Sequence, residues 1–310
     1  MMRYYSCRYT DADDLLSVIR RQALKAGWNV DFFGLMKSGD PRLGLQMHLS
    51  KGGLHFGLRS FSELDPLKEV FVSNANGRSG VAVHAKTGFD PALAYAAQPG
   101  FQGASKCYVE TGEGGTCYIF SSDSQFFVST QHQNGRFSTL FFGQIPTIVS
   151  NSGGQCVSST LVYNTGYGYP LFYNHSDSFV VSINHGQFSG FDGGSRTVSS
   201  MSYPVSDGYP TMLPKSMTYG QVGSLTRSKL LNCDFPALIP VDFLTLYAGN
   251  YSPFGGFSDV FVVSLDYVNP GKVLEIGAHK FVVIPYSRKG AWVDETVSLF
   301  NAGLAVRIDE

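Results

Sequence analysis

Between residues 10 and 60 the hydrophobic period changes from 3.6 to 2, which predicts a helix followed by strands. Leu15, Val18, Ile19, Gln22, Ala23 and Ala26 recur at helical spacing. Thr10 is the expected N-cap with Asp13 at the third helical position, and Asp11, Asp13 and Asp14 complement the positive end of the dipole. Arg20, Arg21 and Lys25 sit near the negative end, Gly27 supplies the left-handed cap, and Trp28 folds back on the last turn. A helix over residues 11–26, lying on a sheet, is the prediction.

Strand periodicity follows. Trp28, Val30 and Phe32 alternate, then Leu43, Leu45, Met47 and Leu49, then Leu54, Phe56 and Leu58. With Ser50-Lys51-Gly52-Gly53 as the turn, Leu49 falls opposite Leu54, Met47 opposite Phe56 and Leu45 opposite Leu58. One face of this hairpin is then apolar throughout, and the helix docks there. The expectation is an α+β unit over residues 1–72, a helix on an antiparallel sheet.

Beyond residue 70 helical spacing survives only near Pro91–Ala97 and Phe235–Leu246, and short apolar runs alternate with turn dipeptides such as Asn134-Gly135 and Pro270-Gly271. The pattern predicts a mainly β body over residues 73–310, an antiparallel sandwich or barrel, with a further division near residue 235. Around Asn134-Gly135, pairing Gln133 with Arg136 sets Val128 against Phe141 and Phe127 against Phe142. Apolar groups then occupy both faces of the hairpin base, which must be buried on two sides. Around Gly277-Ala278, Glu275 faces Lys280 and Leu274 faces Phe281. Leu304, Val306 and Ile308 form a last alternating strand, and no repeat period points to a solenoid.

Composition narrows the function classes. The chain has 310 residues, formal net charge −1 and 43% hydrophobic residues, which excludes intrinsic disorder and phosphate-driven nucleic-acid binding. No run approaches the roughly 18 apolar residues of a membrane span, and the segment Met1–Cys7 lacks the apolar stretch of a secretory signal. Cys7, Cys107, Cys117, Cys156 and Cys233 show no C-x-x-C spacing, so reduced thiols are expected. Charge is scarce in the middle: residues 101–260 hold six basic and nine acidic side chains in 160 positions. Soluble domains carry about 25% charged residues. Depleted charge with abundant Tyr, Phe, Ser, Asn and Gly is the composition of protein interfaces, and it is also compatible with exposed β faces built from Ser and Thr.

Candidate chemistry is sparse. His48 and His55 fall opposite one another on the polar face of the first hairpin, but Arg42, Gln46 and Arg59 offer no third ligand, so no metal site is assigned. Asp13, Asp14, Asp123, Asp177, Asp192, Asp294 and Glu295 form no acid–base pair, and the Gly-rich stretches lack a P-loop's Lys-Ser/Thr. No catalytic residue and no cofactor are assigned. Tyr163, Tyr167, Tyr169, Phe172 and Tyr173 form either a recognition loop for sugar or protein, or a loop packed across its own sheet. Phe127, Gln131, His132 and Phe137 of the Asn-Gly hairpin are a second candidate contact set.

Several segments together resemble a loose group of tailed-bacteriophage virion proteins, mostly of undefined role, found among tail and baseplate components. They are Leu15-Leu16 to Gly27-Trp28-Asn29-Val30-Asp31, Leu45 to Gly53 with Leu58-Arg59-Ser60, Gln125-Phe126-Phe127-Val128 through Phe141-Phe142-Gly143-Gln144, Gly277 to Pro285, and Gly303-Leu304-Ala305-Val306. The resemblance implies a structural virion protein, made in the host cytoplasm, whose partners are copies of itself and other virion proteins, with no nucleic acid and no membrane. A receptor- or carbohydrate-binding tail protein with a host-surface glycan as ligand is the alternative. A tail glycan hydrolase using Asp123 or Asp192 is a third reading.

Overall fold

The computed structural model describes residues 2–35, 41–67, 78–101, 108–133, 135–146, 155–159, 182–183, 198–200, 238–247, 250–265, 268–285 and 302–308. The fold is mainly β, with three antiparallel sheets and a helix near the N-terminus. Strand β1 (Arg3–Tyr9) precedes helix α1 (Ala12–Lys25). The first sheet runs in order β2 (Asn29–Leu35), β3 (Leu45–Lys51), β4 (Leu54–Phe61), β5 (Gly80–Lys86) and β6 (Tyr108–Glu110). The second places β1 beside β7 (Gly115–Ser121), then β8 (Gln125–His132), β9 (Phe137–Gly143), β10 (Gln155–Ser159) and β11 (Ser182–Ile183). The third contains β12 (Val198–Ser200), β13 (Ile239–Tyr247), β14 (Asn250–Ser264), β15 (Val273–Ile276), β16 (His279–Pro285) and β17 (Ala302–Ile308), in spatial order β12-β13-β14-β17-β16-β15.

Helix α1 starts one residue later than its pattern predicts. Asp11, not Thr10, is the N-cap: its carboxylate accepts from the Asp14 N–H at 2.9 Å, and Asp14 in turn accepts from the Thr10 N–H at 3.0 Å. The aspartate wins because its charged oxygens are the better acceptor at the dipole's positive end. At the other end the Trp28 N–H donates to Ala23 O and the Gly27 N–H to Leu24 O, with Gly27 at φ 74°. That is a Schellman motif, and it turns Trp28 back over the helix as its sequence predicts.

Hydrogen bonding runs across the expected boundary at residue 72. Strand β4 pairs with β5, and β1 leaves the N-terminal unit to pair with β7. One core therefore joins Leu15, Val18 and Ile19 of the helix, Met47, Phe56 and Val83 of the first sheet, and Ile119, Phe126 and Leu140 of the second. Of the two helical candidates, Pro91–Ala97 contains a single 3-10 turn at Tyr95–Ala97, while Ile239–Tyr247 is strand β13. Short apolar runs of this kind do not distinguish helix from buried strand, and pairing with β14 decides for strand.

Both early hairpins shift register. In β3–β4 the turn is the two residues Gly52-Gly53, at φ 57° and 83°, so Leu49 faces Phe56 and Met47 faces Leu58. Two left-handed glycines suit the tighter turn, and a slip of two residues keeps the apolar face intact. In β8–β9 the slip is one residue. The His132 N–H donates to Arg136 O, so Phe127 pairs with Phe141 and Phe126 with Phe142. Phe126, Val128, Leu140 and Phe142 then face the central core, while Phe127 and Phe141 meet Phe257 of β14 at ring distances of 5.0 and 4.7 Å. The hairpin base is buried on two sides, as its composition requires. In β15–β16 Glu275 faces Lys280 and Leu274 faces Phe281, as read from sequence.

Trp28 joins the layers. Its ring lies 6.0 Å from Phe56 of the first sheet and 5.5 and 6.4 Å from Phe126 and Phe142 of the second, and its Nε1 donates to Ser122 O at 3.1 Å. Trp28→Ala is expected to cost about 3–5 kcal/mol of stability, read as a lower denaturation midpoint. Trp28→Phe is expected to cost less, because it keeps much of the packing and loses the hydrogen bond.

Candidate functional site

The sequence-predicted contact residues divide between described and undescribed chain. Tyr163, Tyr167, Tyr169, Phe172 and Tyr173 lie outside the described residues. Phe127, His132 and Phe137, expected to offer a contact surface, are instead buried within this chain. Phe137 stacks on Tyr118, whose hydroxyl donates to Gln131 Oε1 at 2.7 Å. His132 Nε2 lies 3.1 Å from Glu110 O, and Thr130 Oγ1 donates to the same carbonyl at 2.6 Å. These side chains fasten the end of the first sheet to the second.

The other chemistry-bearing groups fall in separate places. A cleft of about 420 Å³ opens beside the β7–β8 turn, with Arg3, Asp123, Gln125 and Asp259 in its lining. Asp123 is exposed there and accepts from Lys51 Nζ at 2.9 Å, which holds its carboxyl below the usual range. A glycosidase general acid needs the opposite shift. Asp192 lies outside the described residues. Cys7 and Cys117 are free thiols, with sulfurs 3.4 Å apart across β1–β7. Burial pushes the Cys117 thiol up, so it is unreactive by the thiolate criterion.

The strongest constellation lies on the face of the first sheet that points away from the core. His48 on β3 and His55 on β4 are not directly opposite: His48 pairs with Gly57, and His55 with Ser50. Their rings are nevertheless neighbours on a diagonal, 5.8 Å apart. The third ligand that the sequence pattern lacks comes from β2. Val30 pairs with Leu49 and Phe32 with His48, so Asp31 is the extra residue of a β-bulge. A bulge re-aims side chains, and here it sets Asp31 beside the imidazoles. One ligand atom from each of Asp31, His48 and His55 falls within 4.8 Å of the others.

The signal was present in the chain. Strict alternation puts Val30 and Phe32 on one face, but Phe32-Phe33 are two consecutive aromatics, and only one can point inward. Phe33 packs against the core, whereas Phe32 lies 6.1 Å from Phe89, whose ring in turn lies 4.6 Å from that of His48.

This face is polar yet covered. The segment between β5 and β6 folds over it, and Tyr95 Oη donates to Gly57 O at 3.0 Å and meets His84 Nδ1 at 3.0 Å. Lys86 Nζ donates to Tyr95 O at 2.8 Å and lies 4.1 Å over the Tyr95 ring. Arg59 forms a buried ion pair with Asp65 at 2.7 Å. His48 is only 3% exposed, and its Nε2, like Nδ1 of the half-buried His55, has no hydrogen-bond partner among the described residues. Each such buried, unpaired nitrogen costs about 1–3 kcal/mol.

Burial, with Lys86 and His55 adding, lowers His48 to about 3, and burial likewise lowers His132. The unfolded chain protonates both near pH 6.5 while the folded chain resists protonation, so stability falls as pH drops below about 6.5, for His48 down towards pH 3. For His48 the loss is about 2 kcal/mol between pH 6.5 and pH 5. Urea denaturation at the two pH values, with EDTA present, is expected to show it. His132→Gln is expected to flatten part of the slope.

Compared with models of known protein families and with curated proteins, the chain matches no family model and no curated sequence.

Proposed function

We propose that this protein is a structural component of a bacteriophage virion, a tail or baseplate subunit that acts through protein–protein assembly with copies of itself and other virion proteins. The observation that carries this reading is the scarcity of ionised side chains between residues 101 and 260. Two of the described ones are turned inward. Glu110 pairs with Arg78 with its side chain 8% exposed, and Asp259 is 14% exposed beside Arg307. Stripping water from a charged surface is costly, so a surface poor in charge and rich in aromatics and hydroxyls is suited to lasting contact with other subunits. Closed symmetric assembly repeats one such contact many times. The likeness of several segments to tailed-phage virion proteins supports the same reading.

Mass spectrometry of purified particles is expected to detect the chain, and native mass spectrometry of the isolated protein to show symmetric oligomers. Absence from particles overturns the proposal. Glycan-array binding that is lost in Tyr167→Ala and Tyr169→Ala variants would favour a receptor-binding tail protein instead.

A further inference from the structure

We propose that Asp31, His48 and His55 form a binding site for a divalent transition-metal ion, with zinc(II) the ion that the ligand set suits best. Three independent features converge on it. The bulge in β2 uses one unpaired residue to place a carboxylate against two imidazoles. Two ring nitrogens there are buried without a hydrogen-bond partner among the described residues, one of them on a side chain only 3% exposed. The carboxylate is itself steadied, since Ser50 Oγ donates to Asp31 Oδ1 at 3.1 Å. Outer-shell hydrogen bonds of this kind orient the ligands of metal sites.

The donor chemistry selects the ion. Two neutral imidazoles and one carboxylate suit zinc and other late first-row divalent ions, whereas magnesium and calcium require mostly oxygen ligands. Tetrahedral zinc with ligands about 2.0–2.2 Å away sets them about 3.4 Å apart, so the present spread of up to 4.8 Å must contract by about 1.4 Å. Asp31 is exposed and His55 half-buried, so both can move while His48 stays fixed beneath Phe89. The positive charge acting on His48 is Lys86. Its ammonium is engaged by the Tyr95 carbonyl and by the Tyr95 and Phe101 rings. Three protein ligands leave a fourth position for water or for a donor from a neighbouring molecule. Among the described strands β2 is the edge of its sheet, which leaves that position open on this side.

The test uses the full chain, made without a histidine tag, stripped with EDTA and titrated with zinc chloride by calorimetry. One equivalent is expected to bind and to raise the melting temperature. Asp31→Asn and His55→Gln, at exposed and half-buried positions, are expected to weaken binding by about 100-fold or more and to abolish the thermal shift. Both leave the buried His48 ring in place, so the fold is kept while the ligand set is broken. Ser50→Ala is expected to weaken binding by about tenfold. Cobalt(II) is expected to give the visible absorption of a tetrahedral nitrogen and oxygen site, lost in Asp31→Asn. No binding by the parent chain, or binding unchanged in both Asp31→Asn and His55→Gln, overturns the proposal. Neither outcome bears on whether the chain is found in particles.

Discussion

The indole of Trp28 reaches three elements because the Schellman turn at Gly27 reverses the chain immediately before it. From that position its faces and edges meet Phe56, Phe126 and Phe142, and its one polar atom is satisfied by the Ser122 carbonyl. A buried tryptophan is stable only where its N–H finds a partner, so the ring fixes the distance between the helix end and the β7–β8 turn. Other contacts repeat the tie at its margins. Lys51 Nζ donates to Ala26 O and Asp123, and Asp13 accepts from Ser60 Oγ and the Leu45 N–H at the other end of the helix. With the helix pinned at both ends between two sheets, the first sheet has one face committed to the core, and its other face becomes available for chemistry.

That other face obeys a different rule. Alternation along β3, β4 and β5 places His48, Arg59, His84 and Lys86 away from the core, which from sequence reads as solvent-facing. All four are buried, because the connection after β5 lays Phe89, Tyr95 and Phe101 across them. Tyr95 is well suited to cover them, since its ring offers a π face to cations while its hydroxyl and carbonyl serve the sheet. A layer of this kind excludes water without removing polarity, and each charge beneath it needs a partner. Arg59 has Asp65, and Lys86 has a carbonyl and two rings.

What was legible in the chain follows from how far each signal reaches. The helix, its glycine stop, the apolar hairpin face and the Glu275–Lys280 register depend on neighbours in sequence, and each was readable to within a residue or two. Turn lengths were less so, because Gly52-Gly53 and Asn134-Gly135 admit more than one loop, and a slip of one residue in β8–β9 exchanges which phenylalanines face which layer. Strand β1 escaped notice because Tyr4, Tyr5, Ser6 and Cys7 carry little alternation, and only β7, over a hundred residues later, gives them a partner. The histidine pair was visible, and alternation with Val30 inward already turns Asp31 to the same face; the β2–β3 pairing that sets the carboxylate beside the rings was not. Alternation tells which residues share a face, not which faces are later covered.

The bulge at Asp31 also answers a problem of sheet edges. Among the described strands β2 has only β3 as a neighbour, and an open edge is a template for unwanted pairing. An inserted residue breaks the repeat of donors and acceptors and twists the strand, so that an approaching strand finds no continuous ladder. The charge of Asp31 adds to that protection, and Leu35 at the end of the strand remains 53% exposed. A residue placed for edge protection would need only to be charged and outward. Asp31 is also hydrogen-bonded to Ser50 and set beside two imidazole nitrogens that no other described group satisfies. Edge protection explains the bulge but not its coincidence with those nitrogens, and it is that coincidence which makes a bound cation the more complete account.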